Sequence, residues 1–137
     1  MIVADTNLVS YLLIQGERTE EARGVWARDA EWVAPPLWRS EFLNVLAIAH
    51  RAGVLSEEQA RLAWQRAKAL MAGREVEPDG DRVLSFALER GITAYDAHFV
   101  AVAADLGVPL VTSDRAVLER CSDIACAIEH FPTNTSP

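Results

Sequence analysis

Ile2-Val3-Ala4-Asp5-Thr6-Asn7 at the start of the chain and Val108-Pro109-Leu110-Val111-Thr112-Ser113-Asp114 near its end share one form. Each is a short apolar run that stops at hydroxyl and carboxylate side chains. Apolar runs without alternation suit strands covered on both faces, as in a parallel sheet flanked by helices. In such sheets ligands lie outside the carboxyl ends of the strands. If both runs are parallel strands of one sheet, Asp5 and Asp114 emerge at the same edge. Two carboxylates brought together repel, and a raised pKa or a bound cation relieves the repulsion.

Working outward from these two runs, strand, helix and turn signals alternate along the whole chain, the pattern of an α/β layered fold. Thr6 or Asn7 caps a short helix over 8–14, closed by Gly16. Thr19, followed by Glu20 and Glu21, opens a helix to about residue 29. Trp32-Val33-Ala34 reads as a brief strand, closed by Pro35-Pro36. A long helix over 37–52 is stopped by Gly53. Ser56 with Gln59 forms a capping box that opens a helix to about residue 72. The short connection makes 37–72 an antiparallel helical hairpin. Glu75-Val76-Glu77 is a short strand candidate, and Asp79 or Asp81 starts a helix to about residue 90. Thr93 caps a helix to residue 106, the 108–112 strand follows, and residues 114–120 form a short helix. Residues 125–129 read as an edge strand.

Two further carboxylates join the pair at the strand ends. Glu41 sits in Leu37-Trp38-Arg39-Ser40-Glu41-Phe42-Leu43-Asn44-Val45-Leu46. That stretch is apolar almost all round, so the helix is expected to be largely buried. A carboxylate there needs a partner or a cation. A nearby arginine is one alternative, and Asn44, on the same helix face, either supports Glu41 or packs beside it. Asp96 lies in the first turn of its helix, where the macrodipole favours a carboxylate whatever its role. A helix antiparallel to its strands begins at their carboxyl edge, beside Asp5 and Asp114, which leaves Asp105 at the far edge. Helix capping alone also accounts for Asp5 and Asp114 taken singly. Four carboxylates around one pocket exceed what a purely structural domain tolerates. Hard oxygen donors with few imidazoles suit Mg²⁺ or Mn²⁺ rather than zinc. His50, His98 and His130 are assigned packing or surface roles, His98 pointing away from Asp96. Trp26, Trp32, Trp38 and Trp64 are assigned to the core or to an interface.

The 137 residues suffice for one domain with a real core, expected over 1–132 with a loose tail at 133–137. Half the residues are hydrophobic, which excludes general disorder. The net charge of −7 argues against a module that coats nucleic acid non-specifically, because neutralising phosphates drives such binding. Cys121 and Cys126 match no zinc or redox spacing and read as two buried free thiols. Asp5 interrupts the only N-terminal apolar stretch, so no signal peptide is visible, and no membrane span is long enough. A cytoplasmic setting is expected.

The ordered set Ile2-Val3-Ala4-Asp5-Thr6-Asn7, Arg39-Ser40-Glu41-Phe42, Tyr95-Asp96-Ala97 and Val111-Thr112-Ser113-Asp114-Arg115 resembles the PIN-domain nucleases, specifically the VapC-type toxins of prokaryotic toxin–antitoxin pairs. The similarity spans nearly the whole chain. It implies a three-layer fold, with a central, mostly parallel sheet, and a Mg²⁺- or Mn²⁺-dependent endoribonuclease acting on RNA. By position, Asp5, Glu41, Asp96 and Asp114 match the family's catalytic, metal-binding acids, and Thr6, Asn7 and Thr112 its supporting polar positions. The resemblance also implies a homodimer and a small antitoxin over the active-site groove, with the 37–72 hairpin as a surface for either. Two other readings stand beside it. A haloacid-dehalogenase-like phosphatase would use Asp5 as nucleophile, but wants an acid where Asn7 stands and a lysine that only Lys68 can supply. A catalytically silent RNA-processing or binding module has no need of four intact carboxylates.

Overall fold

The computed structural model describes residues 1–131. The tail expected at 133–137 lies outside them. Four short strands form one wholly parallel sheet in the order β2-β1-β3-β4, with β1 at Ile2–Ala4, β2 at Trp32–Val33, β3 at Leu110–Thr112 and β4 at Ala125–Ala127. The two runs that opened the reading are adjacent, Val3 opposite Leu110 and Ala4 opposite Val111. All six residues of β1 and β3 are buried, as strands covered on both faces must be.

Among the described residues, seven helices flank this sheet: α1 (Thr6–Leu13), α2 (Thr19–Arg28), α3 (Trp38–Arg51), α4 (Glu57–Met71), α5 (Gly80–Arg90), α6 (Ala94–Leu106) and α7 (Arg115–Arg120). Helix α1 packs on α2, α3 and α4, while α5 and α6 pack together and α6 lies on β1 and β3. Helix α6 is apolar all round because it is enclosed, burying Ala97 and Phe99 through Ala103. Ser56 and Gln59 make the reciprocal capping box, and α3 and α4 pack as the expected hairpin. Trp38, Phe42 and Trp64 fill its seam with ring centroids 5.9–6.5 Å apart.

Several local expectations are corrected. Asp5, not Thr6 or Asn7, caps α1, because strand and helix join without a spare residue. Helix α2 has no side-chain cap, and Thr19 instead closes the preceding turn by accepting from Gly16 N and donating to Ile14 O. The strand expected at Glu75-Val76-Glu77 shrinks to one bridge between Ala34 and Glu75. There the Glu75 carboxylate is held by Trp38 and Arg39. After Ala127 the edge strand gives way to a 3-10 turn at Ile128–His130. Helix α3 is not largely buried: only Trp38, Phe42 and Leu46 are, whereas Leu43 and Ile48 are 44% and 51% exposed. Leu43 and Ile48, five residues apart, lie on different sides of the helix. Cys121 is buried, but Cys126 only partly, and both are free.

Leu110 lies in the middle of the sheet and is 1% exposed. Leu110→Ala is expected to lower the unfolding free energy by about 2–5 kcal/mol in urea titration, the range for truncating a buried leucine.

Candidate active site

The sheet edge at the carboxyl ends of β1 and β3 is also where helices begin. Asp5 is the N-cap of α1, Asp114 the N-cap of α7, Asp96 lies in the first turn of α6 and Glu41 in the first turn of α3. Each of these four carboxylates therefore sits at the positive end of a helix dipole, which favours the charged form locally. Asp105, at the far end of α6, is paired with Arg82 and stays outside the group, as its position in sequence required.

Asp5 is buried and makes more hydrogen bonds than the others. Its Oδ1 accepts from Thr6 N at 2.7 Å, and its Oδ2 accepts from the Thr112 hydroxyl at 2.5 Å and the Asn7 amide at 3.3 Å. The same Thr112 oxygen accepts from Asp114 N at 3.0 Å, so one hydroxyl joins the two strand ends. Glu41 accepts from the Thr6 hydroxyl at 2.7 Å. Thr6, not Asn44, is thus the polar support of Glu41. The arginine alternative fails as well, since neighbouring Arg39 is bound to Glu75.

Burial and mutual repulsion act against these hydrogen bonds. Burial, only partly offset by the donors from Thr112 and Thr6, pushes the Asp5 carboxyl up to about 6, with Glu41 and Asp96 adding repulsion. Glu41 is raised by burial and by Asp96, against the lowering effects of Thr6 and His98. Asp96 is raised by burial and by Asp114, against its bond to Thr93. The four acids consequently feel one another as a set. His98, expected to point away from the acids, is near enough to Glu41 to stabilise its charge, while its Nδ1 is bonded to Ala94 O at 2.6 Å.

The PIN domain family model matches residues 2–122, a span that holds all four of these acids. The chain belongs to the PIN-domain family. It is 32% identical over 123 residues to Ribonuclease VapC3 of Pyrobaculum aerophilum, covering 87% of this chain and 93% of that relative. It is 40% identical over 88 residues to Exonuclease VapC9 of the same organism, covering 55% and 66% respectively. The crystal structure of PAE2754 from Pyrobaculum aerophilum has the same fold, with a TM-score of 0.77 at 24% identity over 96% of this chain and 93% of that one.

In this PIN domain the acids meet a divalent ion's requirements in donor type, being hard oxygens that share one sheet edge. Among the described residues, however, no three His, Cys, Asp or Glu side chains are gathered into an ion-binding cluster. Each carboxylate is turned at least partly to its own donor: Asp5 to Thr112 and Thr6, Glu41 to Thr6, Asp114 Oδ1 to Val117 N at 3.0 Å.

Tyr11 escaped the sequence reading, and Ser113, quoted there at the end of the second run, was given no role at the site. Tyr11 Oη lies 3.1 Å from Ser113 Oγ, and Ser113 N donates to Asn7 Oδ1 at 3.4 Å. Tyr11 falls four residues after Asn7 on α1, and that spacing was the available signal that both face the β3–α7 turn. Lys68, the lysine a phosphatase reading required, instead lies over the Trp64 ring at 5.4 Å.

The folded Asp5 carboxyl holds its proton more tightly than the ordinary value of 3.8. Its contribution to stability is therefore full below about pH 4 and is lost as pH rises through about 6. In chelator-containing buffer, Asp5→Asn is expected to match the parent near pH 4 and to exceed it by about 1–3 kcal/mol at pH 8, by urea unfolding at both values.

Proposed function

We propose that the protein is a metal-dependent endoribonuclease, the toxin of a type II toxin–antitoxin pair, which hydrolyses RNA phosphodiesters at the edge where Asp5, Glu41, Asp96 and Asp114 meet. The observation that carries the reading is a buried, proton-retaining Asp5 with Glu41 and Asp96 in electrostatic reach, in a PIN domain related to Ribonuclease VapC3 over most of both chains. Carboxylates raised by burial and by each other are strong sites for a hard cation, because binding removes both penalties at once.

The four acids are assigned to hold Mg²⁺ or Mn²⁺, which supplies a Lewis acid for the phosphate and for an attacking water. The chain's own polar residues do the positioning. Thr112 and Asn7 fix Asp5 Oδ2, Thr6 fixes Asp5 through its N–H and Glu41 through its hydroxyl, and Thr112 ties Asp114 to the same point. A carboxylate not fully engaged with the ion is suited to take the water's proton. No phosphorylated intermediate on Asp5 is needed, which separates this reading from the phosphatase.

Partners follow from the same reading. A small antitoxin covering the acids would insert a cation among them, and a second copy of the chain is assigned to exposed apolar helix surface such as Leu43, Ile48 and Leu62. Among the described residues no helix is long and apolar enough to cross a membrane.

Total cellular RNA incubated with the purified chain is expected to be cut in Mg²⁺ or Mn²⁺ and left whole in EDTA. Asp5→Asn is expected to lose about 10²-fold or more of the rate while staying folded, since it removes a ligand charge at the centre. A circular RNA substrate separates internal cleavage, which the proposal requires, from end-dependent trimming of the kind named for the VapC9 relative. Cleavage by Asp5→Asn at the parental rate would refute the assignment.

A further inference from the structure

Three of the four acids are tied into one hydrogen-bonded set by two threonines. Thr6 donates to Asp5 through its N–H and to Glu41 through its hydroxyl, each at 2.7 Å. Thr112 donates to Asp5 at 2.5 Å and accepts from Asp114 N at 3.0 Å. Asp96 stands apart from this set. Its hydrogen-bond partner is Thr93, which belongs to the same turn and whose hydroxyl also accepts from Asp96 N at 3.1 Å. Contacts within one turn shape that turn but do not locate it in the molecule. Packing of α6 on β1 and β3 sets the helix laterally. Asp96 nevertheless lies at the exposed start of α6, close enough to Asp114 to be raised by its charge. A contact from outside the turn has to hold these two carboxylates at their separation.

Two arginines supply that contact. Helix α5 ends at Arg90, and Gly91 follows in the left-handed conformation at φ 64°. Arg120, the final residue of α7, takes up the carbonyls at this end: its Nη1 donates to Gly91 O at 2.9 Å and to Arg90 O at 3.5 Å. In return, Arg90 Nη1 donates to Arg120 O at 3.1 Å. The Arg90 guanidinium also bonds both oxygens of Asp123, in the turn after α7, at 2.7 and 3.0 Å. Each guanidinium thus sits at the carbonyl end of the other's helix, where a cation is favoured. The approach is close: a Cβ built on Gly91 would lie 2.6 Å from Arg120 Nη1. Glycine is therefore required there twice, for its positive φ and for the space Arg120 occupies. Asp96 stands six residues after Arg90, and Asp114 six residues before Arg120. Helix α7 is only about 9 Å long at the usual rise per residue. The two arms that carry Asp96 and Asp114 are consequently short, and they are joined at the arginines.

We propose that Arg120 and Gly91 form a latch that sets the separation of Asp96 and Asp114, which makes Arg120 a positioning residue for the uptake of a divalent ion by the acids. The inference rests on the metal-dependent reading and deepens it, by naming what locates the one acid that the threonines do not tie in. Without the latch, like charges are free to move apart, and an incoming ion has to draw them back. Loss of the latch therefore weakens ion uptake more than it weakens the fold.

The test opens the latch from both sides. Arg120→Gln removes the donor, and Gly91→Ala displaces the guanidinium while leaving Arg120 in place. Arg82→Gln is the control, since it breaks the ion pair with Asp105 that joins the same two helices at their other end. MnCl₂ is titrated calorimetrically into each protein without RNA, and amide hydrogen exchange is followed in chelator-containing buffer. The kcat and the half-saturating Mn²⁺ concentration are measured on an oligoribonucleotide. In both latch variants the Mn²⁺ Kd is expected to rise about tenfold, the lower end for residues that orient metal ligands. Their kcat at saturating Mn²⁺ stays within about twofold of the parent, because the acids themselves are intact. The amides of Asp96 and Val117 exchange about tenfold faster in them, as for a locally loosened turn. Arg82→Gln leaves the Mn²⁺ Kd within about twofold, being remote from the acids. The double variant binds Mn²⁺ no more weakly than either single one, although left-handed alanine lowers its stability further. An unchanged Mn²⁺ Kd in both folded variants overturns the proposal. So does an equal loss in Arg82→Gln, which would mean general loosening, and so do additive losses in the double variant. A parent that takes up no Mn²⁺ refutes the metal-dependent reading separately, and amide exchange at Asp96 and Val117 then decides the latch.

Discussion

Four carboxylates are held at one sheet edge against their own repulsion, and the helix starts hold them there. Asp5, Glu41, Asp96 and Asp114 each occupy the first turn or the cap of a different helix. The aligned peptide dipoles and free N–H groups at those ends offset part of the cost of each charge. Burial and neighbouring charge work the other way and prevail at Asp5, Glu41 and Asp96, whose carboxyls all rise. The site is a place where folding tolerates a local penalty, greatest at Asp5, the one buried member of the four. Sites that depart from the best local solution are commonly functional ones.

The parts of this arrangement legible in the sequence were those written in short-range chemistry. The buried runs ending at Asp5 and Asp114 gave the parallel pair β1–β3, because an apolar run without alternation has few other uses. The direction of α6 placed Asp96 at the site edge and Asp105 away from it. What could not be read were facts of contact between distant segments. Thr112 donating to Asp5 across 107 positions has no local signature, nor has Tyr11 reaching Ser113 across 102. The cap of α1 was misplaced by one residue because Asp5 serves strand end, cap and site at once. The exposure of α3 was missed for a different reason: its apolar residues cover two faces, and only one has an occupant within the chain.

That second face bears on how the molecule meets others. Leu43 and Ile48 on α3 and Leu62 on α4 expose apolar surface on the hairpin, whose seam buries Trp38 and Phe42 and leaves Trp64 partly exposed. Glu41 and Leu43 share α3 but, two residues apart, point to nearly opposite sides of it. A protein covering the Leu43 side of the hairpin therefore does not by itself cover the acids.

The spread of the acids along the chain also sets when the edge can exist at all. Strand β1 is synthesised first, yet its neighbour in the sheet is β3, and Asp5 stays without its Thr112 donor until residue 112 is available. A nascent polypeptide on the ribosome consequently lacks the finished edge through most of its synthesis, and premature termination before β3 leaves fragments without it.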